Sequence, residues 1–133
     1  MSDLDVVTRY YEAFNRGDWD AMCAVMTDDV AHDLNQSGRE LGRARFRAFL
    51  DRMARSYREQ LRDIVVIGGG ASGRVAAEYV VEGEYLASDD GLPAARGQRY
   101  TLPGGAFFEL RGGNIARVTN YYNLADWLAQ VGA

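Results

Sequence analysis

The sequence predicts an α+β fold, with helices first and an antiparallel sheet after them. Two observations predict it. Up to Tyr57 the apolar residues recur three to four positions apart, the period of a helix with one buried face. Beyond Ile64, β-branched and aromatic residues run or alternate between clusters of glycine and asparagine, the pattern of strands and turns. Helices followed by strands exclude an alternating α/β architecture.

In order along the chain, Leu4, Val7, Tyr10 or Tyr11 and Phe14 make a first helix to Asn15, with Ser2 or Asp3 as its cap. Arg16-Gly17-Asp18 breaks it, and Asp18 caps a short second helix whose face carries Trp19, Met22, Cys23 and Met26. Thr27-Asp28-Asp29 closes that helix, and Val30 to Asn35 reads as a short strand. Gly38 to Gly42 is a loop. The third helix follows, with Phe46, Phe49, Leu50, Met53 and Tyr57 on its apolar face. Ile64 to Ile67 is a strand ending in the turn residues Gly68-Gly69-Gly70 and Ser72-Gly73. In the strand from Val75 to Ala87, Glu78, Glu82 and Glu84 share one face, with Tyr79, Val81, Gly83 and Tyr85 on the other. A loop from Ser88 to Gly97 contains Pro93. Strands over Tyr100–Leu110 and Ile115–Tyr122 flank the turn Gly112-Gly113-Asn114, and Leu124 to Val131 forms a terminal helical turn or two. The strands are expected to make a three- or four-stranded meander.

The 133 residues suit one domain spanning 1–133, and 47% hydrophobic residues are enough for a core. A formal net charge of -4 argues against nucleic acid as a partner, because neutralising phosphates needs a basic surface. The arginines between Arg39 and Arg62 are interrupted by carboxylates and read as a solvated helix face. One cysteine, Cys23, and one histidine, His32, rule out an internal disulfide and a thiolate or multi-histidine metal site. Gly68-Gly69-Gly70 lacks the Lys-Ser/Thr and the helix of a phosphate loop, so it is a turn. The acidic start is unlike a signal peptide, no apolar run reaches membrane-spanning length, and a cytoplasmic location is expected.

Four segments carry a resemblance over essentially the whole chain: Arg9-Tyr10-Tyr11-Glu12-Ala13-Phe14-Asn15-Arg16-Gly17-Asp18, Asp28-Asp29-Val30-Ala31-His32-Asp33, Gly42-Arg43-Ala44-Arg45-Phe46, and Phe107-Phe108-Glu109-Leu110-Arg111-Gly112-Gly113-Asn114-Ile115. In this order and spacing the chain resembles the nuclear-transport-factor-two-like superfamily. That group includes ketosteroid isomerase, SnoaL-type polyketide cyclases and scytalone dehydratase. Closer still, it looks like bacterial ketosteroid-isomerase-related proteins. The resemblance implies a cystatin-like cone, a curved sheet and helices enclosing an apolar pocket. In ketosteroid isomerase an aspartate is the base beside an oxyanion hole of a tyrosine and a protonated aspartate. Carried over residue by residue, the base falls on Asp33 and the tyrosine on Tyr10, while the second acid falls on Ala106 and is missing. A steroid isomerase is therefore not the expected activity, since one fold hosts many functions.

If Val30 to Asn35 is a strand, Ala31, Asp33 and Asn35 share one face and His32 takes the other. An aspartate desolvated inside the cone has a raised pKa and is a usable base near neutrality. His32 would pack or hydrogen-bond unless a frayed strand end turned it inward. On the last strand Arg117 should face solvent, which puts Val118, Asn120 and Tyr122 on the opposite face. Asn120 would then be an amide in an apolar wall, needing a partner or a ligand. Tyr79, Tyr85, Tyr100, Phe108, Tyr122 and Trp127, with Asn35, Ala106 and Val118, are the candidate lining for a small apolar or ring-shaped ligand. Phe107, Thr119 and Tyr121 make the outer sheet face too apolar to stay wet, and a homodimer is expected there. The expected chemistry is a cofactor-independent isomerase, cyclase or dehydratase, with Asp33 as base and Tyr10, Asn120 and His32 assisting. The alternative is a non-catalytic ligand-binding or dimerisation module.

Overall fold

The computed structural model describes residues 1–132. The first helix, α1 (Asp3–Arg16), is opened by a capping box in which Ser2 and Asp5 each accept the other's backbone N–H. Gly17, at φ 70°, closes it in the left-handed conformation that glycine adopts without strain. The face buried by α1 carries Val6, Val7, Tyr10 and Tyr11. Asp18 caps α2 (Trp19–Ala24) by accepting the Ala21 N–H at 3.0 Å.

After α2 come β1 (Met26–Asp33), β2 (Arg39–Leu41), α3 (Arg43–Ser56), β3 (Tyr57–Gly68), β4 (Arg74–Tyr85), β5 (Arg99–Arg111), β6 (Asn114–Tyr122) and α4 (Leu124–Val131). The sheet has six strands in the order β2-β1-β6-β5-β4-β3. Its two edge strands do not pair, so the sheet is curved and unclosed. All neighbours are antiparallel except β1 and β6. That parallel pair sets β1, which precedes α3 in sequence, beside the last strand and second from the edge of the sheet. Among the described residues, no helix is long and apolar enough to cross a membrane.

The α+β class holds, and the sheet is larger than the expected meander for three local reasons. Met26 belongs to β1 and not to a helix face: the Ile115 N–H donates to the Val25 carbonyl, and Met26 pairs with Ile115. The exposed Asp28 and Asp29 are strand residues held by Arg43 and Arg111. Within the expected loop, Arg39–Leu41 pairs with Ala31–Asp33 as β2. Tyr57 is the largest change. It is extended (φ -133°, ψ 139°) and pairs with Tyr85, so β3 starts where α3 stops, seven residues before Ile64. A register shift near Asp63, the one non-glycine residue with positive φ (54°) among the described residues, separates the early half of β3 from the late half. Asn15 ties α1 to this strand at 2.9 Å and 2.8 Å, donating to the Leu61 carbonyl and accepting the Leu61 N–H.

Candidate functional site

Between the helices and the inner sheet face lies a cavity of about 390 Å³. Its walls are mostly apolar: Phe46, Phe49, Leu50 and Met53 from α3, Leu61 and Val81 from the sheet, and Trp127 from α4. A more open cleft of about 820 Å³ adjoins it and shares Gln36, Tyr79, Gly104, Tyr121, Tyr122 and Leu124. The buried titratable groups belong to the smaller cavity.

The strand alternation that begins at Tyr57 points Tyr57, Glu59 and Leu61 inward together. Glu59 is thus a carboxyl on an apolar wall. It lies opposite Gly83 of β4, which lies opposite Tyr100 of β5. With no side chain at Gly83, the Tyr100 ring crosses that strand, and its hydroxyl donates to Glu59 Oε2 at 2.5 Å. Burial raises the Glu59 pKa above its ordinary 4.5, and the Tyr100 hydrogen bond opposes only part of that rise. A second crossing of the same kind lies nearby. Tyr79 of β4 lies over Gly104 of β5, where an added Cβ would sit 2.6 Å from its Cε1. Burial and the Glu59 charge push the Tyr79 hydroxyl up to about 12.

A second carboxyl comes from the 86–98 connection. Tyr57 donates its hydroxyl to Asp89 Oδ2 at 2.8 Å, and both residues line the cavity. The connection is pinned from below by Tyr85, whose hydroxyl donates to the Pro93 carbonyl at 2.7 Å and accepts the Asp89 N–H at 2.9 Å. Tyr122 feels both carboxyls: burial first, then the charges of Glu59 and Asp89, raise its pKa.

His32 and Asp33 are exchanged relative to the expectation. His32 is 2% exposed, lines the cavity, and packs edge-on against Phe49 and Phe46 at 4.6 and 4.9 Å. Its Nδ1 has no hydrogen-bond partner, and burial lowers its pKa below 6.5. Asp33 points to the outer face and is not part of the cavity wall. Arg39 grips it with Nε at 2.6 Å and Nη2 at 3.1 Å, and the Thr119 hydroxyl donates to it at 2.7 Å. Its pKa is therefore lowered to about 2, the Arg39 hydrogen bond being the largest cause, where a rise was expected. The reason is register. His32 pairs with the core residue Val118 and Asp33 with Thr119, so His32 follows Val118 inward.

Tyr10 and Asn120 do line the cavity, as do Asn35, Tyr79, Tyr122 and Trp127. Tyr10 is buried edge-on against Tyr11 and Phe108 at 5.1 and 5.5 Å, and burial raises its pKa. Asn35 reaches the cavity from the turn after β1, where its Nδ2 donates to the Tyr122 carbonyl at 2.8 Å. Four expected lining residues are corrected. Tyr85, Ala106, Phe108 and Val118 are packed solid behind the cavity, all at 0–1% exposure. The Tyr100 ring is also off the wall, and only its bond to Glu59 touches the site. Glu59 and Asp89 escaped the sequence reading. The signal that could have found Glu59 was its even spacing with Tyr57 and Leu61, together with a glycine inside each of the two following strands. Among the described residues no group of three or more His, Cys, Asp or Glu is arranged to hold a metal ion.

The SnoaL-like domain matches residues 7–118. A crystal structure of a candidate polyketide cyclase from Xanthomonas campestris pv. campestris is 64% identical, with 96% of this chain and 95% of that one covered and a TM-score of 0.93. A candidate polyketide cyclase from Pseudomonas putida KT2440 is 55% identical over 98% of both chains, with a TM-score of 0.96. An NTF2-like protein from Burkholderia xenovorans LB400 shares only 14% identity but the same fold, with a TM-score of 0.78 over 97% of this chain and 95% of that one. No curated protein matches.

Proposed function

This chain belongs to the SnoaL-like domain family, and from that premise we propose that it is a cofactor-independent acid–base enzyme acting on a ring-shaped carbonyl compound held in the 390 Å³ cavity. One observation carries the reading: a half-buried carboxyl of raised pKa, Glu59, held by a tyrosine hydroxyl on an otherwise apolar wall. A carboxyl in that setting exchanges protons nearer neutrality than a surface one. Glu59 removes a proton from the carbon next to the carbonyl and returns it elsewhere. Tyr100 fixes the carboxyl's direction, and Tyr79, Tyr122 and Asn120 offer donors to the carbonyl oxygen. Loss and return of that proton is the common element of isomerisation, aldol-type cyclisation and dehydration. The polyketide cyclase descriptions of the relatives fit the cyclisation member of that set.

Proton exchange tests this without knowledge of the natural substrate. With 2-tetralone in D₂O, the protein should accelerate deuterium incorporation beside the carbonyl, and Glu59→Gln should reduce that acceleration by roughly 10²–10⁴-fold. An unchanged rate in Glu59→Gln would sink the assignment. One observation favours a second reading, ligand binding without turnover: Ala106 stands where the resemblance calls for a second acid, and it is 1% exposed and packed away. The partner of the outer face is proposed to be a second copy. Phe107 and Tyr121 stand there 52% and 53% exposed, with Ile67 nearby on the same face at 57%. Thr119, expected with them, is buried, its hydroxyl committed to Asp33.

A further inference from the structure

The charges on the cavity wall are one-sided. The two carboxyls Glu59 and Asp89 both line it, and no arginine does among the described residues; the sequence has no lysine at all. Arg52 stacks over Phe49 with its Cζ 5.5 Å from the ring centroid, and it is exposed. Elsewhere the chain pairs its carboxylates with arginines, as at Asp33, Glu82 and Asp29. In the cavity both acids are instead met by tyrosine hydroxyls, which satisfy an oxygen but supply no positive charge.

The two acids share one end of the cavity. Tyr57 bonds Asp89 and sits two residues from Glu59 on the same inward row of β3, and Tyr122 senses both charges. The rings of Tyr57, Tyr122 and Trp127 line that end too. Aromatic faces beside carboxylates are the chemistry that holds an ammonium group. A carboxylate or phosphate there would be desolvated beside like charge without a counter-ion. Elsewhere on the same wall His32 Nδ1 is buried without a hydrogen-bond partner, the residue being 2% exposed. Unsatisfied groups of that kind on a cavity wall await a ligand's polar atoms.

We propose that the cavity is an amine-accepting site whose ligand is an apolar ring compound carrying a protonated amine, seated between Glu59 and Asp89. This rests on the cavity being the ligand site proposed above and is independent of whether turnover occurs there. The same arrangement disfavours an anionic ligand, which would meet like charge without a counter-ion.

Three probes of one shape test it by calorimetry at pH 7.5 and fixed ionic strength: 2-(aminomethyl)naphthalene, 2-naphthalenemethanol and 2-naphthoate. The amine should bind about tenfold more tightly than the alcohol, and the carboxylate at least tenfold more weakly than the alcohol. Glu59→Gln and Asp89→Asn, each shown folded by its thermal melt, should each cost the amine about tenfold while changing the alcohol less than twofold. A carboxylate that binds as well as the amine overturns the proposal while leaving the cavity reading intact, and this ranking needs no variant. Amine affinity unmoved in both variants overturns it also. If none of the three binds saturably, the proposal falls together with the cavity as a ligand site.

Discussion

Replacing Gly83 by alanine should unseat Tyr100. The backbone at Gly83 is not in the left-handed region, so alanine is conformationally acceptable there; the obstacle is space. An added Cβ would overlap Cζ, Cε2 and the hydroxyl oxygen of Tyr100. Those atoms cannot yield locally, because the ring is wedged between β4 and Trp127, 6.0 Å away, and its hydroxyl is bound to Glu59. Tyr100 must swing out, leaving Glu59 without its partner. Losing a hydrogen bond to a buried carboxyl costs about 1.5–3 kcal/mol, and the ring contact about 0.5–1.5 kcal/mol more. Alanine returns roughly 0.5–1 kcal/mol through lower backbone entropy. The net loss is about 1–4 kcal/mol, and its midpoint lowers Tm by about 10 °C for a domain of this size. A double-mutant cycle with Tyr100→Ala, followed by urea denaturation, isolates the effect. In the Tyr100→Ala background, Gly83→Ala should be neutral or slightly stabilising, giving a coupling of at least about 2 kcal/mol. Additive losses would refute the crossing of Tyr100 over Gly83 as the device that positions Glu59.

Asp33→Asn should cost about 1–2 kcal/mol at neutral pH, once screening of the half-exposed Arg39 is allowed for. Because the folded pKa is lowered to about 2 from 3.8, that stability is present above the ordinary value and vanishes as pH falls toward 2. Urea melts from pH 7 to 2 should therefore converge for variant and parent, and a constant gap would contradict the ion pair. His32 has its pKa lowered by burial, so the folded state takes up that proton less readily than the unfolded one. Stability should fall as pH drops below about 6.5, and His32→Gln should flatten that part of the profile; an unaltered slope would argue against a buried neutral imidazole. Asn15→Ala removes both the donor and the acceptor that hold Leu61, and should lower stability by about 2 kcal/mol. A loss under about 0.5 kcal/mol in chemical denaturation would show that α1 is docked by its apolar face alone.

Legibility in the sequence divided along physical lines. The cores of α1 and α3, the β4 alternation and the two glycine turns were readable because each has a strong period or a breaker. Which face of β1 is internal was not, since the two faces of Val30 to Asp33 differ by little and register with β6 decides. Val30, in phase with His32 and fully buried, was the available hint. Tyr57 reads as the last apolar residue of a helix because Arg58, Glu59, Gln60, Arg62 and Asp63 make the start of β3 look like a polar tail. Glu59 is hidden in that tail, since a carboxyl rarely stands on the core face of a strand. Asp89 lies in a connection whose position depends on Tyr85, a contact no local pattern reports.

The account rests on Glu59 being a desolvated carboxyl held by Tyr100 in the cavity. A ¹³C NMR titration of the glutamate side-chain carboxyls, with Glu59→Gln to assign the resonance, measures this directly. Glu59 should titrate above 4.5, and Tyr100→Phe should move it higher still, because the lost hydrogen bond had favoured the charged form. A Glu59 inflection at or below 4.5, unmoved by Tyr100→Phe, would contradict the account.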